Sequence, residues 1–286
     1  MQSQKKVNPF FSIIIPSLNE EKYLPLLLSD LAEQSFTHFE VLHIDAQSID
    51  TTVEKAQSFA ESLQIKTITC PKKNVGYQRN LGITEASGDW IIFMDADNRI
   101  PSYFLEGIKY NLMKDKNVAI FTTFIDAESY SLSYKPMVVL TNVLLEILTH
   151  IKPSGPGSLI GVKKELAEKF PFDTKLKLSE DHSFIDTIVQ AGHKFTCFKD
   201  PQYIYSYRRI EKNGRLKTIQ INVKIYLSYF LNLDVNKDKE LYPMSGGTLY
   251  SKESIKGLKK LEKKYSLNTK ILPFKLLKQL IKSISE

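Results

Sequence analysis

The chain has few cysteines and no long apolar segment. Cys70 and Cys197 are the only cysteines among its 286 residues, and they lie far apart without a CxxC motif. We therefore expect neither a disulfide framework nor a thiolate metal site, and this cysteine usage is typical of a reducing cytoplasm. No run reaches the roughly 18–20 uninterrupted apolar residues that a membrane-spanning helix requires. The longest candidate, residues 137–148, is short and is interrupted by Asn142 and Glu146.

Glycine is missing where two nucleotide-binding motifs would need it. The loop after the first predicted strand is Pro16-Ser17-Leu18-Asn19-Glu20, which contains no glycine. A dinucleotide-binding protein would have GxGxxG at this position. A sugar nucleotidyltransferase would have a glycine-rich loop with arginine and lysine. The sequence argues against both classes.

Most of the chain also lacks net charge. The total is +7, and residues 252–286 contain ten lysines against three glutamates, so the remainder is neutral. A basic tail on a neutral body favours a local anionic partner and argues against a nucleic-acid-binding protein. The end of this tail has apolar residues at helical spacing. Two interpretations stay open: a helix on an anionic membrane surface, and a terminal helix docked on the protein's own core.

Strand-like and helix-like segments alternate over the first 100 residues. Strands are predicted at residues 10–16, 39–44, 65–69 and 90–94, and helices at residues 23–31, from 52 to about 63, and 76–86. This alternation predicts an α/β fold with a doubly wound, mainly parallel sheet. The pattern weakens beyond residue 100, and past about residue 210 it becomes helical and basic. We predict one α/β domain over residues 1–215 and a helical, basic C-terminal extension over residues 216–286.

Two carboxylates follow the fourth predicted strand. The segment Met94-Asp95-Ala96-Asp97-Asn98 comes directly after the apolar run Trp90-Ile91-Ile92-Phe93. In open α/β sheets, ligands bind at the carboxyl ends of the strands. Hard oxygen ligands at that edge suit Mg²⁺ or Mn²⁺ held against a diphosphate. By itself the Asp-X-Asp pattern is also common in surface turns.

Four short segments occur in an order that resembles the family 2 glycosyltransferases, which have the GT-A fold and invert the anomeric carbon. They are Ile15-Pro16-Ser17-Leu18-Asn19-Glu20, Asp45 with Ser48 and Asp50, the region from Asn74 to Asp97, and Glu180-Asp181. The resemblance covers roughly residues 10–215. The sequence departs from it at Asp45-Ala46-Gln47, where many members have Asp-Asp-Gly.

The resemblance implies a nucleotide-binding site. The corresponding residues here are Pro16, Leu18, Glu20 and Asp45, with Arg79 near the phosphates. Asp45 would either accept a hydrogen bond from a uracil-type imide or lie near the ribose. A carboxylate only accepts hydrogen bonds, so it favours a base edge that donates, as in a UDP-sugar donor. The alternative for Asp45 is capping of the following helix, and the alternative for Arg79 is a surface ion pair.

The resemblance also implies the chemistry. Asp97, assisted by Asp95, would hold Mg²⁺ or Mn²⁺ against the departing nucleoside diphosphate. Asp181 would be the base that deprotonates the acceptor hydroxyl, and Glu180 would raise the pKa of that base by like-charge repulsion if both are buried. The alternative for Glu180 and Asp181 is a charged first helical turn that interacts favourably with the helix dipole.

Arg208 and Arg209 belong to a second basic cluster, which related enzymes place near the diphosphate or the acceptor; the alternative is a solvated face. The expected function is transfer of a sugar to a hydroxyl of a glycan, lipid-linked or cell-surface polymer acceptor, as in cell envelope polysaccharide biosynthesis. We expect a cytoplasmic protein, peripheral on the membrane. The rival hypotheses are a catalytically inactive nucleotide-sugar-binding adaptor and a sugar nucleotidyltransferase.

Overall fold

Seven strands form one mixed sheet in the computed structural model, which describes residues 8–126, 135–176, 179–206 and 208. The strands are β1 (Phe11–Ser17), β2 (Phe39–Asp45), β3 (Ile65–Thr69), β4 (Trp90–Met94), β5 (Val118–Asp126), β6 (Leu159–Lys163) and β7 (Lys194–Ile204). The helices are α1 (Leu24–Ala32), α2 (Thr52–Gln57), α3 (Val75–Glu85), α4 (Phe104–Lys114), α5 (Lys135–Ile151), α6 (Lys164–Lys169) and α7 (Glu180–Gln190).

The strand order is β3-β2-β1-β4-β6-β5-β7, and β6 is antiparallel to both of its neighbours while the other pairs are parallel. The prediction of a doubly wound, mainly parallel α/β sheet is therefore confirmed. The first four strands agree with the predicted segments to within a residue, whereas α2 ends at Gln57, earlier than predicted. The short strand β6 and the long strand β7 were not predicted.

The first two strands are buried on both faces. Every residue of β1 and β2 is buried, as expected for parallel strands covered by helices on either side. Helix α3 lies very close to β1, because a Cβ atom on Gly82 would be 2.5 Å from Cγ2 of Ile14. This glycine therefore sets the distance between the helix that carries Arg79 and the centre of the sheet.

Aromatic packing anchors α7 to the same layer. The rings of Phe172 and Phe184 are stacked with centroids 4.0 Å apart, and Phe93 of β4 meets each of them edge-on. All three side chains are buried, so they attach the helix that begins with Glu180 and Asp181 firmly to β4.

The connections reverse direction between β1 and β4. From β1 the chain runs outward through β2 and β3, and then returns to place β4 on the other side of β1. Such a reversal opens a crevice at the carboxyl ends of the two strands, which is the usual ligand site of open α/β sheets. Both the loop beginning at Ser17 and the loop beginning at Asp95 leave the sheet at this crevice.

The first compact unit spans Met1–Ser206. The predicted boundary at residue 215 and the extension over residues 216–286 lie outside the described residues and stay predictions. Among the helices of the described ranges, none is both long enough and apolar enough to traverse a bilayer.

Candidate active site

The carboxyl ends of β1 and β2 form one wall of the crevice. Pro16 pairs with Ile44 and Ser17 with Asp45 in the parallel register. Gln78 of α3 holds the two ends together, because its Nε2 donates to the carbonyl oxygens of Ser17 at 3.0 Å and Ile44 at 2.7 Å. Pro16 and Asp45, both predicted to bind the nucleotide, therefore lie at the ends of adjacent paired strands, where Ser17 is the register partner of Asp45.

The Asp45 carboxylate is buried and held by serine residues. Its Oδ1 accepts from the hydroxyls of Ser17 at 3.0 Å and Ser48 at 2.5 Å, and its Oδ2 accepts from the backbone N–H of Ser48 at 2.8 Å. Helix α2 begins only at Thr52, so Asp45 closes a turn and does not cap that helix. Its Oδ2 keeps acceptor capacity for a donor group of a ligand.

A buried histidine, His43, contacts the Ser17 hydroxyl that binds Asp45. His43 Nε2 lies 2.7 Å from the Ser17 hydroxyl and Nδ1 lies 3.2 Å from the Thr67 hydroxyl. Since the Ser17 proton is donated to Asp45, the Ser17 oxygen accepts from Nε2–H, which fixes the neutral tautomer. Burial lowers the pKa of His43 to about 4, although the Asp45 carboxylate acts in the opposite direction.

The loops after β1 and β2 are joined by backbone contacts. The Asn19 N–H donates to Ser48 Oγ at 2.7 Å, and Asn19 Oδ1 accepts from the N–H of Ile49 at 2.8 Å. Asn19 and Gln47 have positive φ angles of 56° and 60°. Leu18 is half-buried in this loop. Glu20 is buried, and its N–H donates to Thr52 Oγ1 at 2.8 Å.

Arg79 connects three segments that are distant in the sequence. Its Nη1 donates to Glu180 Oε1 at 3.2 Å, and its Nη2 lies 3.4 Å from Asp95 Oδ1 and 2.7 Å from the carbonyl oxygen of Gly157. The side chain is only 3% exposed. The observed arginine is thus in a buried ion pair, unlike the surface pair considered from the sequence. Its predicted contact with donor phosphates stays a prediction.

Glu180 and Asp181 begin α7 and face this arginine and the neighbouring loop. Burial, and then the nearby Asp181 carboxylate, raise the pKa of Glu180 to about 7, although the Arg79 guanidinium acts in the opposite direction. Asp181 Oδ1 accepts from the N–H of His182 at 2.8 Å. Its Oδ2 is turned toward Gly157, where an added Cβ would approach it to 2.5 Å. The described residues provide Oδ2 with no hydrogen bond, which leaves it able to accept a proton.

Asp95 and Asp97 follow β4 and are both half-buried. The Asp95 N–H donates to the carbonyl oxygen of Ser158 at 3.0 Å, and the Asp95 side chain is 41% exposed. No cluster of three histidine, cysteine or acidic side chains suited to a metal ion occurs among the described residues. However, Mg²⁺ and Mn²⁺ are commonly held by one or two carboxylates together with substrate phosphates. The pair therefore fits a metal site that the substrate completes.

The loop from Ser154 to Ser158 joins the two sides of the crevice, and sequence reasoning assigned it no role. Ser158 O also accepts from Asn98 Nδ2 at 2.6 Å, and Ser158 Oγ lies 2.7 Å from the Tyr203 hydroxyl. The sequence of this segment, Ser154-Gly155-Pro156-Gly157-Ser158, contains two glycines and a proline and predicts only a loop. No local sequence pattern marks this loop as part of the site, because its contacts with Arg79 and Asp95 join distant segments and appear only in the fold.

The predicted residues thus fall into two groups. Arg79 contacts Asp95 and Glu180 directly, and Asp181 follows Glu180 in α7. Pro16, Leu18, Glu20 and Asp45 lie at the β1–β2 side of the same sheet edge. Arg208 is half-buried, and Arg209 lies outside the described residues, so the predicted contact of this pair with a diphosphate or an acceptor stays a prediction.

The sequence also matches known proteins. Residues 12–168 match a family model described as glycosyl transferase family 2. Among curated relatives, the poly(ribitol-phosphate) beta-N-acetylglucosaminyltransferase TarS of Staphylococcus aureus is 35% identical over 210 residues, which cover 70% of this chain and 36% of that protein. The chain therefore spans little more than a third of that relative's length.

Solved structures support the fold. The S. aureus TarS fragment 1–349 in complex with UDP-GlcNAc superposes with a TM-score of 0.55 and 20% identity, covering 91% of this chain and 76% of the fragment. The mannosyltransferase PcManGT from Pyrobaculum calidifontis, in complex with GDP-Man and Mn²⁺, gives a TM-score of 0.64 at 16% identity over 98% of this chain and 82% of that one.

Proposed function

This chain belongs to glycosyl transferase family 2, and we propose that it transfers a sugar from a nucleoside-diphosphate donor to a polymer hydroxyl with inversion of the anomeric carbon. The observation that carries the proposal is the bridge made by Arg79. It places Asp95, from the predicted donor side, and Glu180, next to the predicted base, within 3.4 Å of one guanidinium group.

The donor is proposed to be a UDP-sugar. Its base would meet Asp45, whose Oδ2 accepts one hydrogen bond within the protein and can accept another from an imide N–H. The buried network of Ser17, His43 and Ser48 around Asp45 holds that oxygen in a fixed direction. The relative solved with UDP-GlcNAc supports the choice of UDP over other nucleotides.

The chemical step follows from the position of Asp181. A sugar hydroxyl is a poor nucleophile near neutral pH, so a carboxylate must take its proton as the oxygen attacks the anomeric carbon. Asp181 Oδ2 would accept that proton, while Oδ1 remains bound to the His182 N–H. The bond to the diphosphate breaks as the new glycosidic bond forms on the opposite face, and the nucleoside diphosphate leaves with its electron pair.

Charge on the leaving group needs to be stabilised on the donor side. Asp97 and Asp95 are proposed to hold Mg²⁺ or Mn²⁺, which when bound would neutralise the charge that grows on the diphosphate. The structure of a mannosyltransferase of the same fold with Mn²⁺ supports a divalent ion of this class. Buried Arg79 would orient Asp95 for this task through the contact at 3.4 Å.

The acceptor is proposed to be a polyol-phosphate polymer of the cell wall, which is one of the polymer acceptors expected from the sequence. The support is the name of the S. aureus relative, which acts on poly(ribitol-phosphate). Because this chain spans only 36% of that relative, the acceptor and the linkage depend on direct measurement. Action at the cytoplasmic membrane surface through the basic tail stays a prediction.

The test is a transfer assay with UDP-GlcNAc, Mn²⁺ and poly(ribitol phosphate), which detects polymer-linked sugar by mass spectrometry and released UDP. Asp181→Asn should lower kcat by at least about 10²-fold while UDP binding is retained. Asp97→Ala should weaken the Mn²⁺-dependent binding of UDP. Asp186→Asn is the matched control, since Asp186 lies on the same helix and contacts Gln190 of that helix.

The outcomes separate the rival functions. Binding of UDP-sugars without transfer or hydrolysis by the wild-type protein would favour the inactive adaptor. Formation of a UDP-sugar from a sugar phosphate and UTP would favour the nucleotidyltransferase. Normal rates for both Asp181→Asn and Asp97→Ala would contradict the proposed mechanism.

A further inference from the structure

We propose that Ser154 and His182 are positioning residues that hold the Asp181 carboxylate in its reactive place. The proposal rests on the proposed function, because it assigns these two side chains a part in the same transfer step.

The two side chains form a buried hydrogen bond. Ser154 Oγ lies 2.6 Å from His182 Nδ1, and the residues are 0% and 4% exposed. A bond shielded from water in this way holds its partners more rigidly than a surface contact does. It connects the first turn of α7 to the loop that precedes β6.

His182 also contacts Asp181 directly through its backbone. The His182 N–H donates to Asp181 Oδ1 at 2.8 Å. Ser154 thus holds the side chain of His182, and the backbone N–H of His182 holds the Asp181 carboxylate. Loss of the Ser154 bond would remove the side-chain restraint on His182 and allow the first turn of α7, which carries Asp181, to shift.

The loop on the other side is itself held in place. The Gly157 carbonyl accepts from Arg79 at 2.7 Å, and the Ser158 carbonyl accepts from the Asp95 N–H at 3.0 Å. Gly157 has no side chain at the point where a Cβ would lie 2.5 Å from Asp181 Oδ2. The loop is thus a fixed platform, and Ser154 connects the helix that carries Asp181 to it.

This arrangement predicts a specific kinetic effect. A displacement of about 1 Å in a reacting group lowers the rate by about 10²-fold. Ser154 and His182 bond to each other, whereas Asp45 is held by Ser17 and Ser48, so donor binding should be little affected. Loss of the pair should therefore lower kcat and leave the KM for the donor unchanged.

The experiment uses the full chain in the transfer assay with UDP-GlcNAc, Mn²⁺ and poly(ribitol phosphate). The variants are Ser154→Ala and His182→Phe, which remove the bond, and His182→Asn, which places an amide near the position of Nδ1. Thr187→Ala is the control, because this hydroxyl lies exposed on the same helix and donates only to Ser183 O. UDP binding, measured by calorimetry, confirms that each variant is folded.

We expect Ser154→Ala and His182→Phe to lower kcat by about 10- to 100-fold with a donor KM within about twofold of wild type. His182→Asn should restore most of kcat, which a purely structural role for the imidazole ring would not predict. If the single variants do not fold, Ser154→Ala/His182→Phe replaces both polar partners with apolar groups and should fold better. It should still show the loss of kcat.

A wild-type kcat in Ser154→Ala would overturn this proposal alone, as would a parallel loss of kcat and UDP affinity in all variants. His182→Asn with no more activity than His182→Phe would also contradict it. An inactive wild-type protein would instead refute the proposed function, and this inference with it.

Discussion

Replacement of Arg79 by methionine gives the most direct test of how the site is held together. The Arg79 and Glu180 side chains are 3% and 7% exposed, so water screens neither charge. Removal of one partner from a buried ion pair leaves the other charge unpaired, which costs about 3–5 kcal/mol. The Gly157 carbonyl also loses its donor at 2.7 Å. We therefore expect Arg79→Met to lower the free energy of unfolding by about 3–5 kcal/mol.

The measurement is urea denaturation, followed by the fluorescence of the single tryptophan, Trp90, and by circular dichroism. The double variant Arg79→Met/Glu180→Met has no unpaired carboxylate and should be more stable than Arg79→Met alone. Lys66→Met is the matched control. Lys66 and Glu85 also form an ion pair, at 2.6 Å, but their side chains are 62% and 36% exposed, so the loss should be below about 1 kcal/mol.

Two results would refute this reasoning. A destabilisation of Arg79→Met no larger than that of Lys66→Met would show that the guanidinium does not neutralise a buried charge. A double variant as unstable as the single one would show that the cost comes from lost packing of the arginine stem, and not from Glu180.

Two further predictions concern the wall built from β1 and β2. Because burial lowers the folded-state pKa of His43 to about 4 from 6.5, the unfolded chain binds a proton between these values that the folded chain does not. Stability should therefore fall as the pH drops below 6.5, by about 3 kcal/mol at pH 4. Urea titrations across this range should show a smaller fall for His43→Gln, and equal slopes for the two proteins would contradict the assignment. Gln47→Gly should raise the melting temperature, since the left-handed backbone at φ 60° costs a non-glycine residue about 1–2 kcal/mol. Gln57→Gly, in the exposed last turn of α2, should lower it by the usual helix penalty, and a lower melting temperature for both variants would argue against backbone strain at Gln47.

Local patterns in the sequence were enough for the first half of the fold. β1, β2 and β4 are almost entirely buried, and β3 at the edge of the sheet is partly exposed, but each has a short strand-like run that local sequence patterns could detect. The carboxylates Asp95 and Asp97 could be placed at a strand end for the same reason. That Asp95 would share Arg79 with Glu180, the neighbour of Asp181, could not be inferred from any local pattern, because these residues are far apart in the sequence.

Strand β6 shows where local patterns fail. Its five residues, Leu159–Lys163, contain Gly161, which weakens any strand signal. In the fold this glycine is required, since a Cβ atom would lie 2.0 Å from Cζ of Phe121. The strand is stabilised by antiparallel hydrogen bonding to β4 on one side and β5 on the other, and this pairing involves residues up to 73 positions apart.

The amino-acid sequence by itself determined which segments became central strands and which carboxylates followed them, because hydrophobic periodicity and short motifs are properties of neighbouring residues. Tertiary structure alone decided that Arg79 would bind Asp95 and Glu180 at once, and that Ser154 would meet His182. These contacts join residues 16 to 101 positions apart. They form only after the sheet and its covering helices have assembled, when burial makes an unpaired charge or hydroxyl too costly to leave without a partner.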